Sequence, residues 1–399
     1  MQRKQAALPG LSATLLFVVA PPLVEVSSSE PIAAGETPIT CNMPVSGTIK
    51  VANDLVCPDT DGLIVVGDNT VIDLNGHRIS CVGSGFEGSC QGVAPTGGVS
   101  ETDPAFDNGI GIENRKNVHV FTSKPGGTIE GFDNGVRIRG SRNVKVEFLT
   151  ITGPVGTIVA NPRPASHGVL INGASCDGPI HIGTGQFSGN DISNHNQGIA
   201  INGDCVDVVH NRLHDNDGGL TVRAGIPTGA VPSNGLLISD GARNVARGNE
   251  IFDNGDEDAS DDAGLRIRRQ DSTDNLITNN IVTNNLGDGI LLTETARSNY
   301  IVNNTMLGNG VAGSGTVFYD AAGRGAPGGP PDSEDPVLNE WNQNNRCLTQ
   351  NQEVPPGTCE PDDIPPGEVD NTQRPPPSSE LGPARATPQP RKKVPVEQE

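Results

Sequence analysis

A glycine followed by alternating apolar residues recurs along the middle of the chain: GVRIRG (135 to 140), GVLING (168 to 173), GIAING (198 to 203), GLLISD (235 to 240), GLRIRR (264 to 269) and GILLTE (289 to 294). Alternation with period two predicts strands with one buried face. Positions one and three after each glycine are predicted to point inward: Val136/Ile138, Val169/Ile171, Ile199/Ile201, Leu236/Ile238, Leu265/Ile267 and Ile290/Leu292. Burying each contributes about 1.5 to 3 kcal/mol. Later in the repeat a second pattern places Asn, an apolar residue two on, and Asn again three beyond that. It reads Asn211-Leu213-Asn216, Asn249-Ile251-Asn254, Asn279-Ile281-Asn284 and Asn304-Met306-Asn309, and the copy starting Asn190-Ile192 carries His195 in the last place. Strand and turn repeating at roughly 20 to 35 residues is the signature of a solenoid of parallel strands. Asparagines at equivalent coil positions are expected to stack as an amide ladder along its axis. The missing leucine frame excludes leucine-rich repeats.

This pattern divides the chain. Residues 1–30 read as an export signal, 31–60 as an N-terminal cap, 61–310 as coils, 311–360 as a C-terminal cap with Trp341 as its plug, and 361–399 as a Pro-rich polar tail. Solenoid ends need caps because bare strand edges pair with other chains. The export reading rests on Arg3 and Lys4, the apolar run Leu11 to Ala20, and the prolines and serines after it. A single-pass anchor competes, but the run is shorter than the ~20 residues a spanning helix needs, and no later segment is long enough. The expected location is extracellular or periplasmic, with no membrane span once the signal is removed.

Composition narrows the core. Aromatic residues make up 3% of the chain, with 51 Gly and 32 Pro, which argues against a bulky interior, while 34% hydrophobic residues are too many for a disordered chain. A thin core of Val, Ile and Leu fits. The net charge of −21 repels phosphate backbones and anionic lipids, so nucleic acid is not an expected partner. An even count of 8 cysteines in an exported chain points to disulfides. Spacing favours Cys41 with Cys57, Cys81 with Cys90, Cys176 with Cys205 and Cys347 with Cys359, although sequence alone leaves connectivity open. Cys176 and Cys205 fall at nearly the same point of successive coils, within reach of a clip between them. A metal site is the competing reading, against which no CxxC pair occurs.

The repeats resemble the right-handed parallel β-helix repeats of the pectate-lyase-like superfamily. The segment LVCPDTDGLIVVGDNTVIDLNGHRISC (55 to 81) is similar to the opening coil of exported β-helix proteins, the NosD-like group among them. The resemblance covers roughly residues 41–350 and implies an all-β, single-stranded right-handed parallel β-helix with caps. It is specific for fold and weak for activity, because this fold carries lyases, hydrolases, epimerases, adhesins and proteins without catalysis.

Candidate chemistry gathers on one face. The outward column four residues after each glycine reads Arg139, Asn172, Asn202, Ser239, Arg268 and Thr293, and Arg223 joins it if 219–223 is a strand. Insertions at 93–108, 154–167, 224–234 and 255–263 precede this strand and are expected to wall a groove that binds polysaccharide or cell-envelope glycan, with Arg139, Asn172, Asn202, Ser239 and Arg266 as contacts. Ordinary solvated strand residues are the alternative. Asp256, Asp258, Asp261 and Asp262 crowd before Arg266 and Arg268, and hard oxygen ligands suit calcium. By resemblance to pectate-lyase-like enzymes, such a loop implies a calcium-assisted lyase or uronate epimerase, with Arg268 or Arg223 as base or carboxylate clamp and His167 and Asp262 as further catalytic candidates. Hydrolysis by paired carboxylates is a weaker alternative: Asp261-Asp262 occurs without a Gly-His-Gly, and the Asp-Pro-His-Asp motif expected of alginate epimerases is absent. Three methionines and scattered histidines do not make a copper site. Two readings survive, a non-catalytic exported glycan binder and a polysaccharide-active enzyme. The missing family motifs favour the binder.

Overall fold

A computed structural model describes residues 35–82, 107–153, 158–159, 166–184, 189–216, 220–223, 226–230, 233–255, 262–269, 271–293, 296–310, 321–324, 339–341, 344–347 and 359–360. Strands follow one another around a coil and pair with their counterparts in the next coil, always in parallel within three sheets of ten, ten and eleven strands. The first sheet runs through Met43–Val45, Leu63–Val65, Asn108–Glu113, Asn134–Arg139, His167–Ala174, Gln197–Gly203, Asn234–Asp240, Ala263–Arg268, Asp288–Thr293 and Ala321–Arg324. The expectation of an all-β parallel β-helix is met. The sheets extend past the span 61–310 expected for the coils: Met43–Val45, Thr48–Lys50 and Leu55–Pro58 already form a coil, and Asn345–Cys347 pairs beyond Thr305–Leu307.

Every residue predicted to point inward lies in one continuous core, from Val136 and Ile138 to Ile290 and Leu292. The repeating glycine has a steric cause. A Cβ on Gly109, Gly135 or Gly168 would overlap Cγ2 of Ile129, Ile151 or Ile192, and one on Gly235 would stand 2.6 Å from Cγ2 of Ile251. In these coils the third-sheet isoleucine fills the space where the first-sheet strand begins, and any side chain there displaces it.

Asparagines seal the corners. Between the second and third sheets, Nδ2 of Asn190, Asn211, Asn249, Asn280 and Asn304 each donates to Oδ1 of the next member, ending on Asn345, at 2.9 to 3.2 Å. Between the third sheet and the next coil a second ladder runs Asn216, Asn254, Asn285, Asn309. Two members differ from the sequence reading: the register is Asn280 and Asn285, whereas Asn279 and Asn284 sit one residue earlier with φ of 54° and 56°. A third column, Asn244, Asn275, Asn299 and Asn339, closes the corner between the first and second sheets. Its signal was an Asn directly before each of the last four second-sheet strands.

Three cysteine pairs are bridged as the spacing favoured: Cys41–Cys57, Cys176–Cys205 and Cys347–Cys359, with Cα separations of 5.5, 5.0 and 5.2 Å. Cys81 is also disulfide-bonded, and its expected partner Cys90 lies outside the described residues. Among the described residues no helix is long and apolar enough to cross a membrane.

Candidate functional site

The outer face of the first sheet carries three columns of side chains. Four residues after the glycine, Glu113, Arg139, Asn172 and Asn202 are in register across successive strands, Asp240, five after Gly235, continues the row, and Arg268 pairs with Thr293 further on. Nη1 of Arg139 lies 3.3 Å from Glu113 Oε1, and Asn202 Nδ2 donates to Asn172 Oδ1 at 2.8 Å. A register irregularity after Ile201 brings Asp240 opposite Asn202, where Ser239 was expected. Ser239 is buried instead, and its Oγ accepts from Arg268 Nε at 2.9 Å, while Arg269 pairs with Asp240.

Two residues after the glycine stands a column that sequence reasoning passed over: Gly111, Arg137, Leu170, Ala200, Leu237, Arg266, Leu291 and Ala322. From Arg137 onward its members are buried, and Leu170, Ala200 and Leu237 are not part of the interior core. The outer face is therefore not uniformly polar. Arg266 belongs to this buried column and not to the exposed stripe; it is 2% exposed and donates from Nε to Thr293 Oγ1 at 3.3 Å.

The residue before each glycine forms the third column, Asn108, Asn134, His167, Gln197, Asn234, Ala263 and Asp288, again buried. Ala263 packs with Leu291 and Ala322 in an outer cluster, which places this column on the same face. His167 does not face an open groove. It is enclosed, Nδ1 lies 3.0 Å from Asn134 Oδ1, and burial pulls its pKa down to about 4, so it is neutral at physiological pH. Asp262 is fully buried, and Oδ1 accepts from Ser233 N–H at 2.7 Å.

Of the expected calcium ligands only Asp262 falls among the described residues; Asp256, Asp258 and Asp261 lie outside them. Among the described residues no group of three or more His, Cys, Asp or Glu is arranged to hold a metal. Arg223 ends the strand Leu220–Arg223, which pairs with Ile226–Ala230 and, on its other side, with Ile158–Val159. Two insertions thus meet in a small sheet of their own.

A cluster of like charges lies where the first-sheet strands of 63–65, 108–113 and 134–139 begin. Asp107 is raised to about 7, first by burial and then by the charges of Asp133, Asp61 and Asp59, and its Oδ2 has no hydrogen-bond partner. Asp61 is also raised by burial, against the N–H and Nδ2 of Asn108, which donate to its Oδ1 at 2.6 and 3.0 Å. Arg137 is 9% exposed, its Nε has no partner, and it feels the charges of Glu113 and Asp61. The sequence reading did not single these residues out, although FDNG occurs at both 106–109 and 132–135.

With three parallel sheets and this face in view, residues 108–323, more than half of the chain, match the model of the right handed beta helix region. The chain belongs to the right-handed β-helix family. No curated protein sequence matches this β-helix. Among solved structures it is similar to the Dettilon tailspike protein, at 15% identity and TM-score 0.42, over 71% of this chain and 53% of that one. The β-helix thus spans about half the length of the tailspike chain. It is also similar to the periplasmic alginate epimerase AlgG, at 11% identity and TM-score 0.27 over 72% and 76% of the two chains. A third likeness is to the A-module of a mannuronan C-5 epimerase from Azotobacter vinelandii, at 15% identity, TM-score 0.24 and coverage of 73% and 72%.

Proposed function

We propose that this β-helix is an exported protein that binds polysaccharide along the outer face of its first sheet. The observation that carries the reading is the column Glu113, Arg139, Asn172, Asn202 and Asp240, in which polar side chains recur once per coil on a rigid sheet. Parallel strands set that interval at about 4.8 Å. A periodic array of amides and charges, flanked by a buried apolar column, suits a linear polymer of hydroxyl-rich units. Disulfides inside and between coils agree with an oxidising compartment. In this reading residues 1–30 are the export signal and 361–399 a polar tail.

The test is a printed array of uncharged and uronic glycans. The wild-type protein is expected to bind, and the pair Asn172→Ala with Asn202→Ala to weaken binding at least tenfold, about 1.4 kcal/mol, with the melting temperature held. Unchanged binding in that variant would sink the reading.

A further inference from the structure

Asn–Gly occurs eight times, starting at 75, 108, 134, 172, 202, 234, 254 and 309, and in this dipeptide no Cβ shields the nitrogen that follows the side-chain amide. The fold separates these steps. Asn75, Asn108, Asn134, Asn234, Asn254 and Asn309 are buried, whereas Asn172 and Asn202 are half-buried on the outer face of the first sheet. Those two stand in register with opposite surroundings. Asn172 has Arg139 as its partner on one side, and on the other Asn202 Nδ2 donates to its Oδ1 at 2.8 Å. Asn202 has Asp240 as its partner on the far side. The glycines that follow differ as well: Gly173 is exposed with φ of 71°, while a Cβ on Gly203 would lie 2.5 Å from Ala174 N.

We propose that Asn172 is a site of spontaneous modification, where the Gly173 nitrogen attacks the side-chain amide and leaves an aspartyl or isoaspartyl residue. Hydroxide takes the Gly173 N–H proton, the nitrogen bonds to Cγ, and the Cγ–Nδ2 bond breaks as Nδ2 takes a proton from water and leaves as ammonia. One water then opens the cyclic imide at either carbonyl. Negative charge develops on the nitrogen and then on Oδ1, so Arg139 on the neighbouring strand and the Asn202 N–H aimed at Oδ1 both favour the step. Glu113, the ion-pair partner of Arg139, is one strand further away. Ring closure also needs the Asn–Gly peptide to turn, which the exposed Gly173 allows. At Asn202 the same charge would build up opposite Asp240, and Gly203 is packed against Ala174. The product loses the Nδ2 donor of Asn172 and places a carboxylate in the polar column. Its effect on glycan binding rests on the polysaccharide-binding reading; the modification itself does not.

The experiment ages the full chain in mildly alkaline buffer and maps each Asn–Gly peptide by mass, which separates amide from acid, with isoaspartate resolved by chromatography. Asn172 is expected to convert about tenfold faster than Asn202 and the six buried sites. The same chain, unfolded and reduced, is expected to convert at all eight. Arg139→Gln and Asn202→Ala each remove one aid and are expected to slow Asn172 several-fold; unchanged rates in both overturn the electrostatic selection. Conversion of Asn202 or of a buried site at the rate of Asn172 overturns the proposal, as does an Asn172 that stays intact while the unfolded chain converts. Aged protein is then put on the glycan array, where it is expected to bind about tenfold more weakly than fresh protein, as Asn172→Asp does. Because mass reads the modification without glycan, a protein that converts and binds nothing sinks the binding reading alone. One that binds and never converts sinks this proposal alone.

Discussion

His195 occupies the place an asparagine holds in the later coils, and it fills that place incompletely. Its N–H donates to Asn216 Oδ1 at 3.2 Å, but neither ring nitrogen has a partner and the side chain is buried. Burial, then the charge of His167, pulls its pKa to about 3, beside about 4 for His167. Both folded values lie below the ordinary histidine value of about 6.5, so the unfolded chain takes up these protons first as pH falls. The pH-dependent part of their burial is absent above about pH 6.5, and stability is lost below it, by about 1.4 kcal/mol per pH unit and group until the folded values are reached. His195→Asn is expected to continue the ladder and flatten this acid limb. Denaturant midpoints at pH 7 and pH 5 check it, and an unaltered difference between the two would refute the assignment.

At the scale of the element, a coil is held by its corners as much as by its core. Asn249 donates through Nδ2 to Val208 O at 2.9 Å and to Asn280 Oδ1 at 2.9 Å, and its Oδ1 accepts from Asn211 at 3.1 Å. Asn249→Ala removes all three and strands buried partners, for an expected loss of about 2 to 4 kcal/mol at one or two unsatisfied groups. Asn279→Ala, one position from the ladder, is expected to lose about 1 kcal/mol through the left-handed φ that Ala adopts less readily than Asn, and a loss equal to that of Asn249→Ala in urea melts would refute the register. The strands and inward residues were legible in sequence because period two survives in every repeat. The ladder register at 279–285 was not, because the doubled Asn279-Asn280 and Asn284-Asn285 fit the pattern in either of two frames. Ser239 was misplaced because a register irregularity after Ile201 leaves no mark in the spacing. The buried column of Leu170, Ala200 and Leu237 was written in the sequence as apolar residues on the outward parity, yet only the structure shows that this column is buried. The carboxylates about Asp107 come from three successive coils and become neighbours only after stacking.

For the whole molecule, stability is a sum over neighbouring coils, since each contacts the ones above and below. The Cys176–Cys205 bridge joins two such neighbours across 29 residues of chain. Loop-closure entropy gives a bridge of that span about 3 to 4 kcal/mol, and the paired change Cys176→Ser with Cys205→Ser is expected to lower the chemical midpoint accordingly. Amide exchange in the central coils of that variant should rise more than in coils near Asn304. A uniform rise would show that the chain unfolds as one unit. The ladders add a direction to this stack. In the two corner files each amide hands one N–H to the side chain of the following coil and the other to a backbone carbonyl of the preceding one, so every link ties three coils together and the side-chain links of a file run one way along the axis. A newly added coil therefore finds in the one before it both the carbonyl that takes one of its amide hydrogens and an amide hydrogen aimed at its own side-chain oxygen. The chain leaves the ribosome N-terminal end first, and a coil that has just closed offers the next one a matched set of corner partners, so the file of amides serves as a template read in the order of synthesis.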